Sequence, residues 1–507
     1  MFDWLRRMTG NKKSPPVNRL VTIIPSVPEK STSPAPPTCE VRVPEPRIIP
    51  RAEHTLSRRL IATNALKVMG RLIRSGHKAY LCGGSIRDTL IGRQPKDFDV
   101  VTDAKPNEIR KIFRNSRLIG RRFRLAHVFF RGGEIIEVST FRKGVPFDPE
   151  GDATRQDENA FGTPGEDACR RDLTVNGLFY DLETFNIIDY VGGMDDIDNK
   201  VIRVIGDPQL RFREDPVRML RAVRHAAGTR FKIEPVTWQA ICDNADEIAK
   251  TNPSRLRDEF LRELTESRSA RSIELMLDLG LLQHIIPESK LLSAHNGEPS
   301  QARRYLLDNL RGVDEAIQRR TGELTQPVIF AAFMAPFVKM KNLPAKVADP
   351  HRLRGYLPGA IRDYLKPVLQ EIGISRGHAE AASMVLVGLY NLEMALAHGG
   401  PLPQSLLRKA YLPPALLLFQ IESWGRRERL PQAVFNAARD KNLLLFAGPK
   451  PAGQRQRRRQ PHPKENPNRD ANSPTKKTPP KKTPAQPDPT LLFDATALAD
   501  SKKTDPK

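Results

Sequence analysis

The spacing of apolar residues divides the chain into elements before any residue is read for chemistry. Leu66, Met69, Leu72 and Ile73 recur on one face at the helical period, with Asn64 placed to cap the helix and Gly76 to end it. Tyr80-Leu81-Cys82 reads as a short buried strand, Gly83-Gly84-Ser85 as a turn, Ile86 to Leu90 as the opening of a helix, and Asp97 to Val101 as the next strand. Val128-Phe129-Phe130, a Gly132-Gly133 turn and Ile135 to Thr140 carry a hairpin signal. Thr163 and Glu166 stand at capping-box spacing with Pro164 suited to the first helical position. Beyond residue 200 the pattern is almost wholly helical, with no internal repeat. The expected fold is an α/β head on a small mixed sheet followed by all-helical units.

Composition changes the picture at the ends. Residues 1 to 50 are rich in proline and serine, as in Ser33-Pro34-Ala35-Pro36-Pro37, and cannot bury enough apolar surface to fold alone. From Gly448 the chain is similar but basic, with Arg457-Arg458-Arg459, Lys476-Lys477 and Lys481-Lys482 among prolines. Within that tail Leu491-Leu492-Phe493 is an apolar island, either a docking peptide or an incidental cluster. The expected organisation is an arm over 1–50, a head over 51–200, a helical neck over 201–265, a helical body over 266–447 and a basic tail over 448–507.

The net charge of +23 calls for a polyanionic partner. Nucleic acid is favoured, although an anionic membrane surface would attract the same charge. Four cysteines lie far apart, without the paired spacing of a zinc site or a disulfide framework, which fits a reducing cytoplasm. Met1 to Arg7 lacks an apolar run of signal-peptide length, and no stretch elsewhere is expected to span a membrane.

The candidate chemistry begins at Asp97-Phe98-Asp99. Residues two apart on a strand face the same way, so both carboxylates can hold one divalent ion, or two in a two-metal arrangement, with Phe98 toward the core. The bland reading is a solvated strand end. Upstream, the amides of Gly83-Gly84 and the hydroxyl of Ser85 could cradle a triphosphate with Arg87 beside them, where the alternative is a plain tight turn. Glu137, polar among apolar strand residues, could orient a metal or the attacking hydroxyl, or equally face solvent, and His127 reads as a structural histidine.

Leu81-Cys82-Gly83-Gly84-Ser85-Ile86-Arg87-Asp88, followed by Asp97-Phe98-Asp99, resembles the signature of class II template-independent nucleotidyltransferases, the superfamily of tRNA CCA-adding enzymes and bacterial poly(A) polymerases. The similarity continues, in the same order, through Arg170-Arg171-Asp172-Leu173-Thr174-Val175-Asn176, Asp189-Tyr190-Val191-Gly192-Gly193 and Arg213-Glu214-Asp215-Pro216-Val217-Arg218-Met219-Leu220-Arg221-Ala222. The resemblance implies catalytic Mg2+ ions on Asp97 and Asp99, Gly84, Ser85 and Arg87 at the triphosphate, and Asp172 as a third catalytic aspartate. It also implies that Arg171, Asp215, Arg218 and Arg221 hold the incoming ATP. Asp215, Arg218 and Arg221 are three apart and expected on roughly one helix face, where the alternative is a surface ion-pair ladder.

The segment Leu118 to Val128 is similar to that of bacterial poly(A) polymerases, and the basic tail would hold varied RNA through its phosphates. The implied activity is adenylyl transfer from ATP to RNA 3′ ends by a cytoplasmic monomer, with RNA-decay or RNA-chaperone proteins as partners. A CCA-adding enzyme and a non-catalytic RNA-binding scaffold are the rival readings. The chain departs from the family pattern at Gly177, where alanine is common, at His225, where phenylalanine is usual, and at Gly228-Thr229, expected to interrupt a helix.

Overall fold

The computed structural model describes residues 43–120, 125–144, 160–266, 268–292, 300–319, 324–341 and 350–445, the side chains of 350–355 excepted. Most of the proline-rich arm, all of the basic tail with Leu491-Leu492-Phe493, and residues 121–124 of the Leu118 to Val128 segment lie outside the described residues.

Eight strands form one mixed sheet: β1 (Arg47–Ile49), β2 (Ala79–Cys82), β3 (Asp99–Thr102), β4 (Ser116–Ile119), β5 (Leu125–Phe129), β6 (Ile135–Thr140), β7 (Leu178–Asp181) and β8 (Ile187–Asp189). Their order is β1-β8-β7-β2-β3-β6-β5-β4, and only β3 with β6 is parallel. The helices Thr63–Arg74 and Pro106–Ile112 cover one face, where Leu81, Val100, Val128 and Val138 enter the main core. The alternate residues Cys82 and Val101 point the other way, into a small cluster with Phe141, Ala168 and Phe179. That second face carries the candidate chemistry.

Several expectations shift at element ends. The arm stops short of residue 50, because Arg47–Ile49 pair with β8 as an edge strand and bury Ile49. The first helix starts at Thr63 with Ala62 as its cap, and Asn64 instead donates its side-chain amide to Glu134 at 2.6 Å. Strand β3 begins at Asp99, not Asp97. The hairpin over β5 and β6 forms as expected, as does the capping box of Thr163 with Glu166.

Gly228 does not break its helix, which runs over Val217–Thr229 and stops at Arg230 with φ +65. Gly177 is closely packed: a Cβ there would lie 2.5 Å from Val191 Cγ2, which would have to shift. Asp189 builds the turn at the Gly192-Gly193 motif, its carboxylate accepting the N–H groups of Val191, Gly192, Gly193 and Met194 at 2.9–3.1 Å.

After residue 200 helices dominate, joined by one short parallel pair, Val201–Ile202 with Lys232–Ile233. In the body the helices Gln301–Gln318 and Leu412–Gly425 approach so closely that a Cβ on Gly312 would sit 2.2 Å from Ile421 O, and one on Gly425 1.8 Å from Asp308 O. Contrary to the sequence expectation, one helix, Arg376–Ala397, is long and apolar enough to cross a membrane by length and composition. It packs among Gln326–Met340, Pro350–Glu371 and Leu412–Gly425 with Leu386, Leu389 and Leu392 buried, as a core helix does.

Candidate active site

Strand β2 ends at Cys82 and the chain bends at Gly83, whose φ of +76 with ψ of −144 is open in practice to glycine alone. The short helix Gly84–Leu90 follows. Cys82 pairs with Asp99 across β2 and β3, and Asp99 lies beside Glu137 across β3 and β6. A Cβ on Gly83 would be 3.8 Å from Asp99 Oδ2 and 3.6 Å from Arg171 Nη1, so bend, carboxylate and guanidinium are immediate neighbours. Phe98 packs on the main core, and Asp97, which precedes the strand, is close enough to act electrostatically on Asp99.

Burial, then the negative charge of Glu137, pushes the Asp99 carboxyl up to about 6, with Asp97 adding to the repulsion and Arg171 opposing it. Carboxylates that repel one another at a partly buried point are a site a cation would relieve. Among the described residues no three His, Cys, Asp or Glu side chains form a ready-made metal cage. Mg2+ usually takes one or two carboxylates and completes its shell with water and substrate phosphates, and Asp97 with Asp99 fits that donor set. Glu137 is half-exposed yet shares the sheet position beside Asp99, and His127 steadies it through an Nε2 to Oε1 contact of 3.2 Å.

Two residues expected at the triphosphate turn inward. Ser85 donates its hydroxyl to Cys82 O at 3.1 Å. Arg87 is buried and donates to Asp88 at 2.8 and 3.0 Å, to Asn176 Oδ1 at 2.6 Å and to His225 Nδ1 at 3.0 Å. Because an arginine can only donate, His225 must accept through Nδ1 and is neutral there. Burial and the guanidiniums of Arg87, Arg224 and Arg221 hold its pKa well below the ordinary histidine value. The unusual histidine is thus a tie between the bend and the helix Val217–Thr229.

Arg171 donates twice to Asp167 Oδ2, at 2.9 and 3.1 Å, and lies over the Phe179 ring. Asp172 is held by Arg218 at 2.9 Å and by Arg221. Burial would raise its carboxyl, but those two arginines hold it below the ordinary value. Arg218 also reaches Glu214, and Arg221 reaches Glu259 at 3.5 Å.

Asp215 is not on the helix face with Arg218 and Arg221. It occupies the extended break before Pro216, because a residue preceding proline is pushed out of the helical region. Its Oδ2 accepts from Arg255 at 2.9 Å, while Oδ1 is buried without a partner. Sequence reasoning missed Asp167, Asn176, Arg255 and Glu259 as parts of the site. Asn176 closes the quoted Arg170 to Asn176 motif, and Asp167 stands three and four residues before Arg170 and Arg171 at the end of one helix.

Residues 79–203 match the family described as "Poly A polymerase head domain", and residues 230–292 the one described as "Probable RNA and SrmB- binding site of polymerase A". The fold is that of a tRNA nucleotidyltransferase solved with a primer tRNA and an incoming ATP analog, at TM-score 0.52 and 23% identity over 74% of this chain and 100% of that one. The fold and the head-domain match together are those of a nucleotidyltransferase. The chain is 41% identical to poly(A) polymerase I of Salmonella typhi over 345 residues, 66% of this chain and 73% of the relative. To poly(A) polymerase I of Escherichia coli O6:H1 it is 45% identical over 282 residues, 54% of this chain and 60% of the relative. The chain belongs to the poly(A) polymerase I family.

Proposed function

We propose that this enzyme transfers AMP from ATP to the 3′-hydroxyl of RNA with release of pyrophosphate, and that the reaction takes place at the Gly83 bend. The observation that carries the reading is Asp99 beside that bend with Glu137 and Asp97 bearing on it. Magnesium bound by Asp97 and Asp99 would supply charge neutralisation at the α-phosphate and activation of the attacking oxygen.

The chain's own residues orient the reactants. A Cβ would meet Arg171 Nη1 at 3.6 Å on Gly83 and Arg87 Nη2 at 3.3 Å on Gly84, so two guanidiniums flank the bend where phosphates would lie. Ser85 and Arg87 act from beneath, fixing the shape of the turn. Asp172, Arg218 and Arg221 frame the incoming nucleotide. Asp215 Oδ1, buried and unpartnered, is an acceptor suited to the exocyclic amino group of adenine. The match over residues 230–292 supports RNA contacts there. A cytoplasmic monomer working with RNA-decay or RNA-chaperone proteins, with head, neck and body divided near residues 200 and 265, completes the reading.

Incubating an RNA primer with each nucleoside triphosphate separately tests it. Long tails from ATP alone are expected; addition that stops after two or three nucleotides and requires CTP identifies a CCA-adding enzyme instead. RNA binding with no pyrophosphate released identifies a scaffold.

Arg255→Ala tests the base-reading role of Asp215. The pair is largely exposed on the arginine side, so stability should change by less than about 1 kcal/mol. Selection of ATP over UTP, whose base has a carbonyl where adenine has its amino group, should fall by about five- to tenfold, the scale of one charge-assisted hydrogen bond. Unchanged selectivity in competition assays removes Asp215 from base recognition.

A further inference from the structure

The helix Val217–Thr229 turns Arg218 and Arg221 toward Asp172, and its last turn borders something else. At 3.6 residues per turn Ala227 lies on the side opposite Arg218, and there it lines a cavity of about 650 Å³. The cavity lies where Lys232–Ile233 meets the helices Ser269–Asp278 and Gln301–Gln318. Its volume is within the usual range for a small-ligand site.

Arg230, Lys232, Arg268, Arg271 and Arg311 line it, together with the indole of Trp238. Arg271 is paired with Glu274 at 2.7 Å, and Arg311 with Asp308. The second lining carboxylate, Asp314, is taken up by Ser269 N and Oγ and by Ala270 N at 2.7–3.2 Å. Arg230, Lys232 and Arg268 make no hydrogen bond or ion pair with a side chain among the described residues.

The head adds a further cation. Arg93 Nη1 donates to Gly228 O at 2.5 Å, closing the end of the same helix. Its pKa is lowered by burial and by the like charges of Arg268, Arg87 and Arg230, with only Asp88 opposing. Of the lining carboxylates, Glu274 is paired with Arg271, and Asp314 feels Arg268 only at a distance while its oxygens accept from Ser269 and Ala270, so the lining cations Arg230, Lys232 and Arg268 keep donors open for an anion.

We propose that this cavity is a second RNA contact, in which a backbone phosphate upstream of the reacting 3′ end lies against Arg230, Lys232 and Arg268 and a neighbouring base lies against Trp238. The inference rests on the chain acting on RNA and assigns residues to that contact. A phosphodiester satisfies the guanidiniums in bidentate fashion, and a base fills the space beside the indole. An acidic peptide would meet the charge but leave the indole face unused.

The test is fluorescence anisotropy with a labelled oligoadenylate ending in a 3′-deoxynucleotide. The variant carrying both Arg230→Gln and Arg268→Gln is compared with wild type over a salt series, and Trp238→Ala is measured separately. The double variant is expected to bind about tenfold more weakly at low salt, with a slope of log Kd against log salt smaller by about 1.4, two contacts at about 0.7 each. Trp238→Ala is expected to lose about tenfold with the slope unchanged, as for a lost stacking contact.

Affinity and slope of the double variant within twofold of wild type would overturn the proposal, whatever Trp238→Ala does to folding. Competition by poly-glutamate as effective as that by unlabelled oligoadenylate would overturn it too. AMP incorporation by the wild type is scored in parallel, so failure of the cavity is distinguishable from failure of the activity.

Discussion

Asp99→Asn is expected to abolish AMP incorporation, by about a thousandfold or more, the scale of losing several kcal/mol of charge stabilisation at a phosphoryl centre. The same variant should be no less stable than the wild type at neutral pH. Asp99 titrates at about 6 in the folded chain against an ordinary 3.8, so the fold binds its proton more tightly than the unfolded chain does. The metal-free wild type therefore loses stability as pH rises from about 4 through 6 and Asp99 ionises beside Glu137. Asparagine escapes that loss. Thermal midpoints with magnesium withheld, measured across this range, should converge for the two proteins at low pH and separate above 6 in favour of the variant. Retention of a tenth of the activity would remove Asp99 from the chemistry, and a lower midpoint at pH 8 would show that its charge is not repelled in the fold.

The second large effect belongs to a residue that touches no substrate. Asp167 is fully buried and accepts from Arg170, Arg171 and the backbone N–H of Arg142. Burial alone would raise its carboxyl, yet Arg171 and Arg170 hold it below the ordinary value. Removing one partner of a buried ion pair costs about 3–5 kcal/mol because the other charge is left uncompensated. Asp167→Ala should lower stability by that amount in urea unfolding and also free Arg171 from its place at the bend.

Because the folded pKa is depressed, the Asp167 contribution is complete above the unfolded value near 3.8 and is lost as pH falls below it. A variant whose unfolding midpoint moves by less than the equivalent of about 1 kcal/mol would mean the cluster is solvated, as surface pairs are.

What the sequence made legible is local. The first helix, the β5–β6 hairpin and the Thr163 capping box follow from periodicity and turn chemistry within a few residues. Asp99 opens a strand as the alternation predicts, whereas Asp97 lies just before it. The parallel pairing that brings Glu137 to Asp99, and the edge strand Arg47–Ile49, depend on contacts far apart in the chain. Asp215 was assigned to a helix face although Pro216 forbids it, a rule written in the sequence and overridden by the three-residue spacing. Ser85 and Arg87 are in the expected positions but point inward, because Cys82 O, Asn176 and His225 are nearer partners than solvent. No motif specifies the rotamer of a buried arginine.

Asp172 is gripped by two guanidiniums that are themselves moored to Glu214 and Glu259. Side chains so tethered surrender their rotamer freedom when the polypeptide folds, so little remains to be frozen when a nucleotide arrives. Under the proposed assignment of these residues to the nucleotide, the receptor is rigid before it is filled: it suits repeated capture of one and the same monomer, cycle after cycle, better than an alphabet that changes between steps.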